Sequence, residues 1–359
     1  MNNRRVSIII RTTAKRVKFL DEALFSVFGS YYPSIEVVLV VQTTDDRAYQ
    51  DVVALSQLYT RLGMTIQLVR NASDEDRRSQ NLNLGLAQAT GRYVGFLDDD
   101  DVLYPEHISL LVEALEQSPL KAWVYADVIG VLGACDALEQ FYVKSHDRNM
   151  FKKEKFSFGD LWNCNHIPIL SFLIDRERVS PAYLQFDESF KVLEDYTFLL
   201  RLSLFYEPEY LSQATSEYRL RLDGTNSTYI TEDILGLTAT KKREIWQEAE
   251  NQVKLFRQNL MMNSKSIDSQ ELKTDIAAKL NSQRNFQQEY IQLSTQNSQL
   301  SAQHSQLSVQ YSQLSRELDH VRTELNHAHN RITAMESSKF WKLRSMWFKL
   351  KCFVGIKGE

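Results

Sequence analysis

Between Gly236 and Gly355 the chain contains neither glycine nor proline, and all six prolines lie at or before Pro208. A globular body turns its chain back on itself and draws on those two residues to do so, so a run of this length specifies extended helix. The 359 residues exceed one typical domain, which leaves room for a first part that buries a core and a second that forms a rod.

The second part keeps a seven-residue register. Phe286, Leu293, Leu300, Leu307, Leu314, Val321, Ala328 and Met335 form one column, and Tyr290, Asn297, His304, Tyr311, Leu318, Leu325 and Ile332 form the other. Alternating offsets of four and three make these the d and a positions of a coiled coil, a rod about 75 Å long at ~1.5 Å per residue. Asn297 and His304 on the seam read as register devices. The flanking positions are mostly Ser and Gln up to Ser315, so little charge selects a foreign partner, and self-association is expected, as a dimer before a trimer. After Ser337 and Ser338 a helix would place Phe340, Leu343, Trp347, Leu350 and Val354 on one face, with Lys342 and Lys349 opposite. Such a helix suits an anionic membrane surface over 337–354; packing of the aromatics within the oligomer or on the first part is the other reading.

The first part alternates strand and helix. Val6 to Ile10 and Glu36 to Val41 are continuous β-branched runs of the kind buried on both faces of a parallel sheet. Amphipathic Lys18 to Phe28 lies between them, and Thr65 to Val69, helical Ser79 to Ala89 and the strand Tyr93 to Leu97 continue the alternation, which specifies an α/β sheet. Ligands of such sheets bind at the carboxyl ends of strands. At one such end stand Asp98, Asp99, Asp100 and Asp101. Adjacent carboxylates repel unless a cation sits among them, and hard divalent ions such as Mg²⁺ or Mn²⁺ prefer oxygen ligands. A solvated acidic loop capping the helix after Pro105 and Glu106 is the alternative. An EF-hand is disfavoured, because its alternating ligands, its sixth-position glycine and its twelfth-position glutamate are missing. Arg11 to Arg16, after the first strand, contain no glycine, so neither a dinucleotide fingerprint nor a P-loop can cradle phosphate there.

Four stretches in order carry a resemblance: Val6-Ser7-Ile8-Ile9-Ile10-Arg11-Thr12, then Arg78-Ser79-Gln80-Asn81-Leu82-Asn83-Leu84-Gly85-Leu86, then Gly91-Arg92-Tyr93, then Phe96-Leu97 into the aspartates. A fifth lies at Phe186-Asp187-Glu188 and Glu194-Asp195-Tyr196 to Leu202. Together they resemble the inverting glycosyltransferases of family 2, over roughly residues 1–230. The resemblance implies a GT-A fold, a Rossmann-like mixed sheet, for 1–230; the residue pattern beyond it gives a helical connector over 231–281, the coiled coil over 282–336 and the basic aromatic tail over 337–359. It makes Asp98 to Asp100 the DxD-type motif, with Asp100 and Asp98 toward Mn²⁺ or Mg²⁺ and Asp98 or Asp99 near the ribose. Thr12 matches the threonine facing the nucleotide, and Arg78 and Asn83 match positions before the DxD strand. An arginine there meets diphosphate or base oxygens with its fork, whereas Asn83 can equally be a helix-surface amide. Two departures stand out. Gln42 replaces the acidic base-reading residue, which leaves the nucleotide open because an amide both donates and accepts. Arg11 and Ala14 stand where the family commonly has Pro and Asn.

The implied chemistry moves a sugar from a nucleoside-diphosphate donor to a hydroxyl of a glycan or lipid-linked acceptor, as in cell-surface polysaccharide synthesis. It needs a metal for the departing diphosphate and one base for the acceptor proton. Asp195 at a helix start is the first choice of base and Glu194 the second. Arg219 and Arg221, before Gly224, belong either to a lid over the diphosphate or to an edge strand and turn. The competing reading is a non-catalytic scaffold working through the coiled coil. A sugar-phosphate nucleotidyltransferase is weakened by the missing glycine-rich loop.

A net charge of -4 argues against a nucleic-acid partner, which needs a clustered positive field. Cys135, Cys164 and Cys352 lack metal-ligand spacing and cannot all pair, so they read as buried or incidental thiols of a reducing compartment. The start of the chain has no signal-peptide pattern and no run is long and apolar enough to span a membrane, which places the protein in the cytoplasm, or peripherally on the inner face of the membrane.

Overall fold

The computed structural model describes residues 4–136, 140–222, 236–263, 270–337 and 339–353. Two compact units result, Met1–Phe286 and Gln287–Glu359. In the first, strands β1 (Val6–Thr12), β2 (Ile35–Gln42), β3 (Thr65–Asn71) and β4 (Tyr93–Asp98) alternate with helices α1 (Val17–Phe28), α2 (Asp46–Arg61) and α3 (Arg78–Gln88). They pair in parallel in the order β3-β2-β1-β4. Each apolar run of the sequence became a strand, longer by a few polar residues, and those added residues carry the site.

Beyond β4 the sheet changes character. Strands β5 (Val102–Leu103), β6 (Trp123–Cys135), β7 (Phe141–Asp147), β8 (Phe172–Asp175) and β9 (Glu209–Arg221) extend it as β4-β8-β6-β9-β5, with β7 on β6. β8 is antiparallel to both β4 and β6, whereas β9 returns parallel to β6, so the sheet is mixed. Helices α4 (His107–Gln117), α5 (Phe158–Asn163) and α6 (Glu194–Phe205) complete the layers.

Strand alternation divides the core in two. Ile8, Ile10, Val37, Leu39 and Val41 point toward α1, α2 and α4, while Ile9, Val38, Val40 and Phe96 point toward α3 and α6. Gly85 lets α3 lie close on β1, because a Cβ there would sit 2.4 Å from Ile9 Cγ2. On the same face Phe186 stacks on Phe198 at 4.3 Å between ring centroids and meets Phe96 edge-on at 5.3 Å. Each buried phenyl ring contributes about 1.5–3 kcal/mol, and this cluster fixes the entry to α6 against β4.

Helix α7 (Gly236–Asn263) falls where the sequence assigns a connector, yet it is docked on the body. Ala249 and Val253 are buried, Phe256 and Leu260 pack on the core beside them, and Phe256 meets Phe190 edge-on. Their spacing of four, three and four residues is one helical face, so the packed unit runs well past residue 230. Arg257 on this helix lies over the rings of Trp162 and Tyr196 and donates to the Tyr196 hydroxyl.

Helix α8 (Gln270–Ser337) is continuous through the heptad region, and α9 (Lys339–Phe353) follows. Within α8 the columns expected to form a seam are open, with Leu307 and Leu314 63% and 66% exposed. Side chains of Phe286, Tyr290, Leu293, Asn297 and Phe340, together with Val354, fall outside the described residues. Leu343, Trp347 and Leu350 of α9 are exposed. Among the described residues no helix is long and apolar enough to cross a membrane.

Candidate active site

The site begins with strand register. Arg11 and Asp98 are Cα partners near the carboxyl ends of β1 and β4, and the guanidinium grips the carboxylate at both oxygens, Nε to Oδ1 at 2.6 Å and Nη2 to Oδ2 at 3.1 Å. Its remaining arm donates to Glu194 Oε1 at 2.5 Å. One arginine therefore ties the first aspartate of the run to the start of α6, where its partner Glu194 lies 183 residues beyond Arg11. Burial alone pushes Asp98 up, but the adjacent Arg11 charge and its hydrogen bonds outweigh that and hold the carboxyl below its ordinary range.

The next three aspartates each find a different partner. Thr12 donates to Asp99 Oδ2 at 2.5 Å, and Thr12 Oγ1 in turn accepts the backbone N–H of Ala14 at 3.1 Å. Arg221, at the end of β9, donates to Asp100 Oδ2 at 2.5 Å, and the backbone N–H of Arg219 reaches Asp101 Oδ1 at 2.8 Å. These contacts leave a negative surplus. Burial first, then the Asp100 charge, pushes Asp99 up to about 7, and the same two causes raise Asp101 well above its ordinary value. Asp101 Oδ2 is buried without a hydrogen-bond partner. Nor does the run cap the following helix, since α4 starts at His107 with Glu106 as N-cap and no side-chain cap bond.

Glu194 and Asp195 open α6 from Leu193, whose φ of 63 lies in the left-handed region. Among the described residues the other non-glycine residue there is Ala14, at 58, immediately beyond Thr12 and Thr13. Backbone of this kind is costly for residues with a Cβ and persists where neighbouring structure fixes it. Asp195 accepts from Asn165 Nδ2 at 3.1 Å and from its neighbour's N–H at 2.7 Å. Burial and then the Glu194 charge push its carboxyl up to about 7. Such a group exchanges a proton near neutral pH, as a general base must.

A cleft of about 400 Å³ is lined by Thr12, Gln42, Arg78 and Asp98 to Asp101, together with Asn81, Arg219 and Arg221. Most of the residues expected to touch donor are thus assembled in one place. Gln42 is there as wall. Its Nε2 donates to the carbonyls of Ser73, at 3.3 Å, and Glu75, while Oε1 accepts from Asn81 Nδ2 at 2.6 Å and Arg77 N at 3.3 Å. All four bonds of the amide are spent on the protein itself, three on the 73–77 loop and one on Asn81 of α3. Arg78 donates to Asp76 at 3.0 Å and borders the cleft. Asn83 lies elsewhere: its amide is bound both ways to the Phe186 backbone, at 2.8 and 2.9 Å, and it lines a second cleft with Arg92 and Arg176. Its neighbour Asn81, two positions earlier and 3% exposed, faces the cleft instead.

Oxygen donors of this kind suit Mg²⁺ or Mn²⁺, and the surplus charge together with the orphaned Asp101 oxygen fits a divalent cation. Among the described residues no group of three His, Cys, Asp or Glu is arranged to hold an ion by itself. The donor set therefore fits a cation that takes its remaining ligands from elsewhere, and Asp98, with both oxygens on Arg11, is less available to such an ion than Asp100.

Arg11, Asn81 and the pairing of Arg221 with Asp100 were not legible as site features. Arg11 appears in the sequence only as a departure from a family pattern, and its role depends on the β1–β4 register. Arg219 and Arg221 are strand residues of β9, not a lid; the downstream residues 223–227 lie outside the described residues. Of the cysteines, Cys135 is half-buried and Cys164 exposed.

Comparison with known proteins agrees with this geometry. A family model described as Glycosyl transferase family 2 matches residues 7–177. The uncharacterized glycosyltransferase EpsJ of Bacillus subtilis (strain 168) is 26% identical over 205 residues, 53% of this chain and 53% of that protein. The GalNAc(5)-diNAcBac-PP-undecaprenol beta-1,3-glucosyltransferase of Campylobacter jejuni is 28% identical over 126 residues, 35% of this chain and 37% of that protein. The chain thus spans about half, or less, of the length of these curated relatives. Among solved structures, S. aureus TarS 1-349 superposes with a TM-score of 0.51 at 16% identity, covering 77% of this chain and 71% of that one. Its complex with UDP-GlcNAc gives 0.50 at 18%, covering 79% and 81%. At that identity the likeness establishes the GT-A fold.

Proposed function

Residues 7–177 belong to glycosyl transferase family 2, and from that premise we propose that the chain transfers a sugar, with inversion, from a nucleoside-diphosphate donor to a hydroxyl acceptor. The observation that carries the reading is the buried guanidinium of Arg11, which holds both Asp98, the first aspartate of the run, and Glu194, the neighbour of Asp195. Donor and acceptor chemistry have to take place side by side, and this shared arginine supports that reading.

The donor would lie in the 400 Å³ cleft, with Thr12 and Asp99 toward the nucleoside and Arg78 toward diphosphate oxygens. A divalent cation held by Asp100, when bound, supplies Lewis-acid stabilisation of the departing diphosphate. Asp195 takes the proton of the acceptor hydroxyl. Its carboxyl at about 7 is basic enough to accept that proton while still substantially ionised at neutral pH. Asn165 orients it, and Glu194 both raises its basicity and anchors it to Arg11. Attack opposite the leaving group inverts the anomeric centre, so one base suffices and no covalent intermediate forms.

The relatives include an enzyme acting on an undecaprenol-linked glycan, which supports a lipid-linked or polymeric acceptor and a role in surface polysaccharide synthesis. Exposed columns on α8 support self-association, and the exposed aromatic and basic residues of α9 support peripheral binding to an anionic inner membrane face, with the catalytic body in the cytoplasm. The same columns favour the competing reading of a scaffold that assembles other proteins without turnover. A screen of nucleotide sugars for Mn²⁺-dependent turnover separates the two. Turnover that Asp100→Asn abolishes supports the transferase, and no turnover with any donor favours the scaffold.

A further inference from the structure

Asp100, the carboxylate proposed above for the divalent cation, is held in this structure by Arg221. Arg221 is 1% exposed, donates to Asp100 Oδ2 at 2.5 Å, and still borders the open cleft. Its backbone is anchored twice over. β9 runs parallel to β6 with Arg221 opposite Gly133, and the N–H of Arg219 is bound to Asp101 Oδ1 at 2.8 Å. The guanidinium lies against the face of Phe19, 5.3 Å from the ring centroid. Only the side chain beyond its anchored backbone can change partner, and an arginine fork matches phosphate as well as it matches carboxylate.

Charge then dictates an exchange. A divalent ion entering beside Arg221 would put two cations on one carboxylate, while Arg221 leaving without a replacement would strand Asp100 beside Asp99 and Asp101. Both penalties vanish if the ion takes Asp100 as Arg221 moves to a newly arrived diphosphate. We propose that Arg221 stands in for the divalent cation on Asp100 in the ligand-free protein and hands that carboxylate over when a diphosphate enters, becoming a contact to the diphosphate itself. This rests on the metal-assisted reading above and adds to it an order of events. The ion alone binds weakly, and ion and diphosphate strengthen each other by the same factor. Arg78 and Arg11 do not compete for this role, since each is held by another carboxylate, Asp76 and Asp98.

The test measures Mn²⁺ binding to the full chain by electron paramagnetic resonance, with and without inorganic pyrophosphate, allowing for the complex the two form in solution. Wild type should bind Mn²⁺ weakly and gain about tenfold with pyrophosphate. Arg221→Met should bind Mn²⁺ about tenfold more tightly without pyrophosphate and gain less than about twofold on its addition, because a unit positive charge has been removed from beside the ion. Arg221→Lys should behave like wild type. Circular dichroism verifies folding of the methionine variant. If it does not fold, Arg221→Gln, which keeps a hydrogen bond to Asp100, should show the same tightening. A neutral variant that binds Mn²⁺ no more tightly than wild type overturns the handover alone. Absence of Mn²⁺ binding by every protein under both conditions overturns the metal-assisted reading and the handover with it.

Discussion

The body and the rod of this chain treat their side chains in opposite ways. In the body a large set of apolar residues is hidden, and several of the charges inside are paired within the chain: Arg11 holds Asp98 and Glu194, and Arg221 holds Asp100. In α8 the apolar columns lie open, with Leu307, Leu314 and Leu325 all more than half exposed. A large buried core needs nothing further to fold, whereas an apolar stripe along a helix gains its stability only against a second surface. Substrate chemistry is therefore expected to be a property of the single body, and assembly a property of the rod.

The largest effect should come from the carboxylate placed as base. Asp195→Asn should lower turnover by about 10²–10⁴-fold, the usual worth of general base catalysis, with little change in donor affinity. The same change should raise the urea midpoint, because it removes a charge held against burial and Glu194. A collapse of donor affinity would instead place Asp195 on the donor.

Removing the central compensation should cost stability. Arg11→Met leaves Asp98 and Glu194 paired with nothing, and breaking one side of such a buried cluster costs about 3–5 kcal/mol. Equilibrium unfolding in urea measures it. A variant as stable as wild type would break the contrast, since the body would not then depend on internal charge pairing.

The rod should yield the reverse pattern. Leu307→Lys with Leu314→Lys should lower the mass seen by light scattering and weaken binding to anionic vesicles through lost avidity, while turnover per chain stays within about twofold. Truncation after Glu336 should release the protein from vesicles and leave the oligomer intact. Turnover that falls in step with mass would join the two regions that the contrast separates.

A smaller effect follows from pH. Asp99 and Asp195 bind protons more tightly in the folded protein than in the unfolded chain, since both are pushed up to about 7. Between the ordinary carboxylate range and pH 7 the folded state thus holds more protons, and stability falls as pH rises through that window. Asp98 and Glu36, both lowered, act in the opposite direction only below the ordinary range. With chelator present, the urea midpoint should be lower at pH 8 than at pH 5.5, and Mn²⁺ with pyrophosphate should reduce the difference.

The sheet was legible because its signals are local. Continuous β-branched runs at Val6 to Ile10 and Glu36 to Val41 leave few alternatives, and an aspartate run ending a strand points to the ligand edge. The cleft was legible to the extent that Thr12, Arg78 and the aspartates border it. What escaped depends on register and direction. Asn81 and Asn83 sit two positions apart on α3, and helical geometry turns only the first toward the cleft, whereas the second holds the Phe186 backbone. Arg11 acquires its role from standing opposite Asp98, a pairing between residues 87 apart in sequence. The docked face of α7 was readable in principle, from the spacing of Ala249, Val253, Phe256 and Leu260, but its polar surroundings made it look like linker.

That docked helix also sets a timetable. Chains leave the ribosome from the amino end, and domains tend to close as they emerge. Here the last strand of the sheet, β9, ends at Arg221, yet Ala249 and Val253 are part of the core, so closure waits for α7. The open leucine columns of α8 are translated only after that helix. Each newly made chain therefore has the means to shut its folded body before it displays the open leucine columns to neighbours still being made on the same messenger.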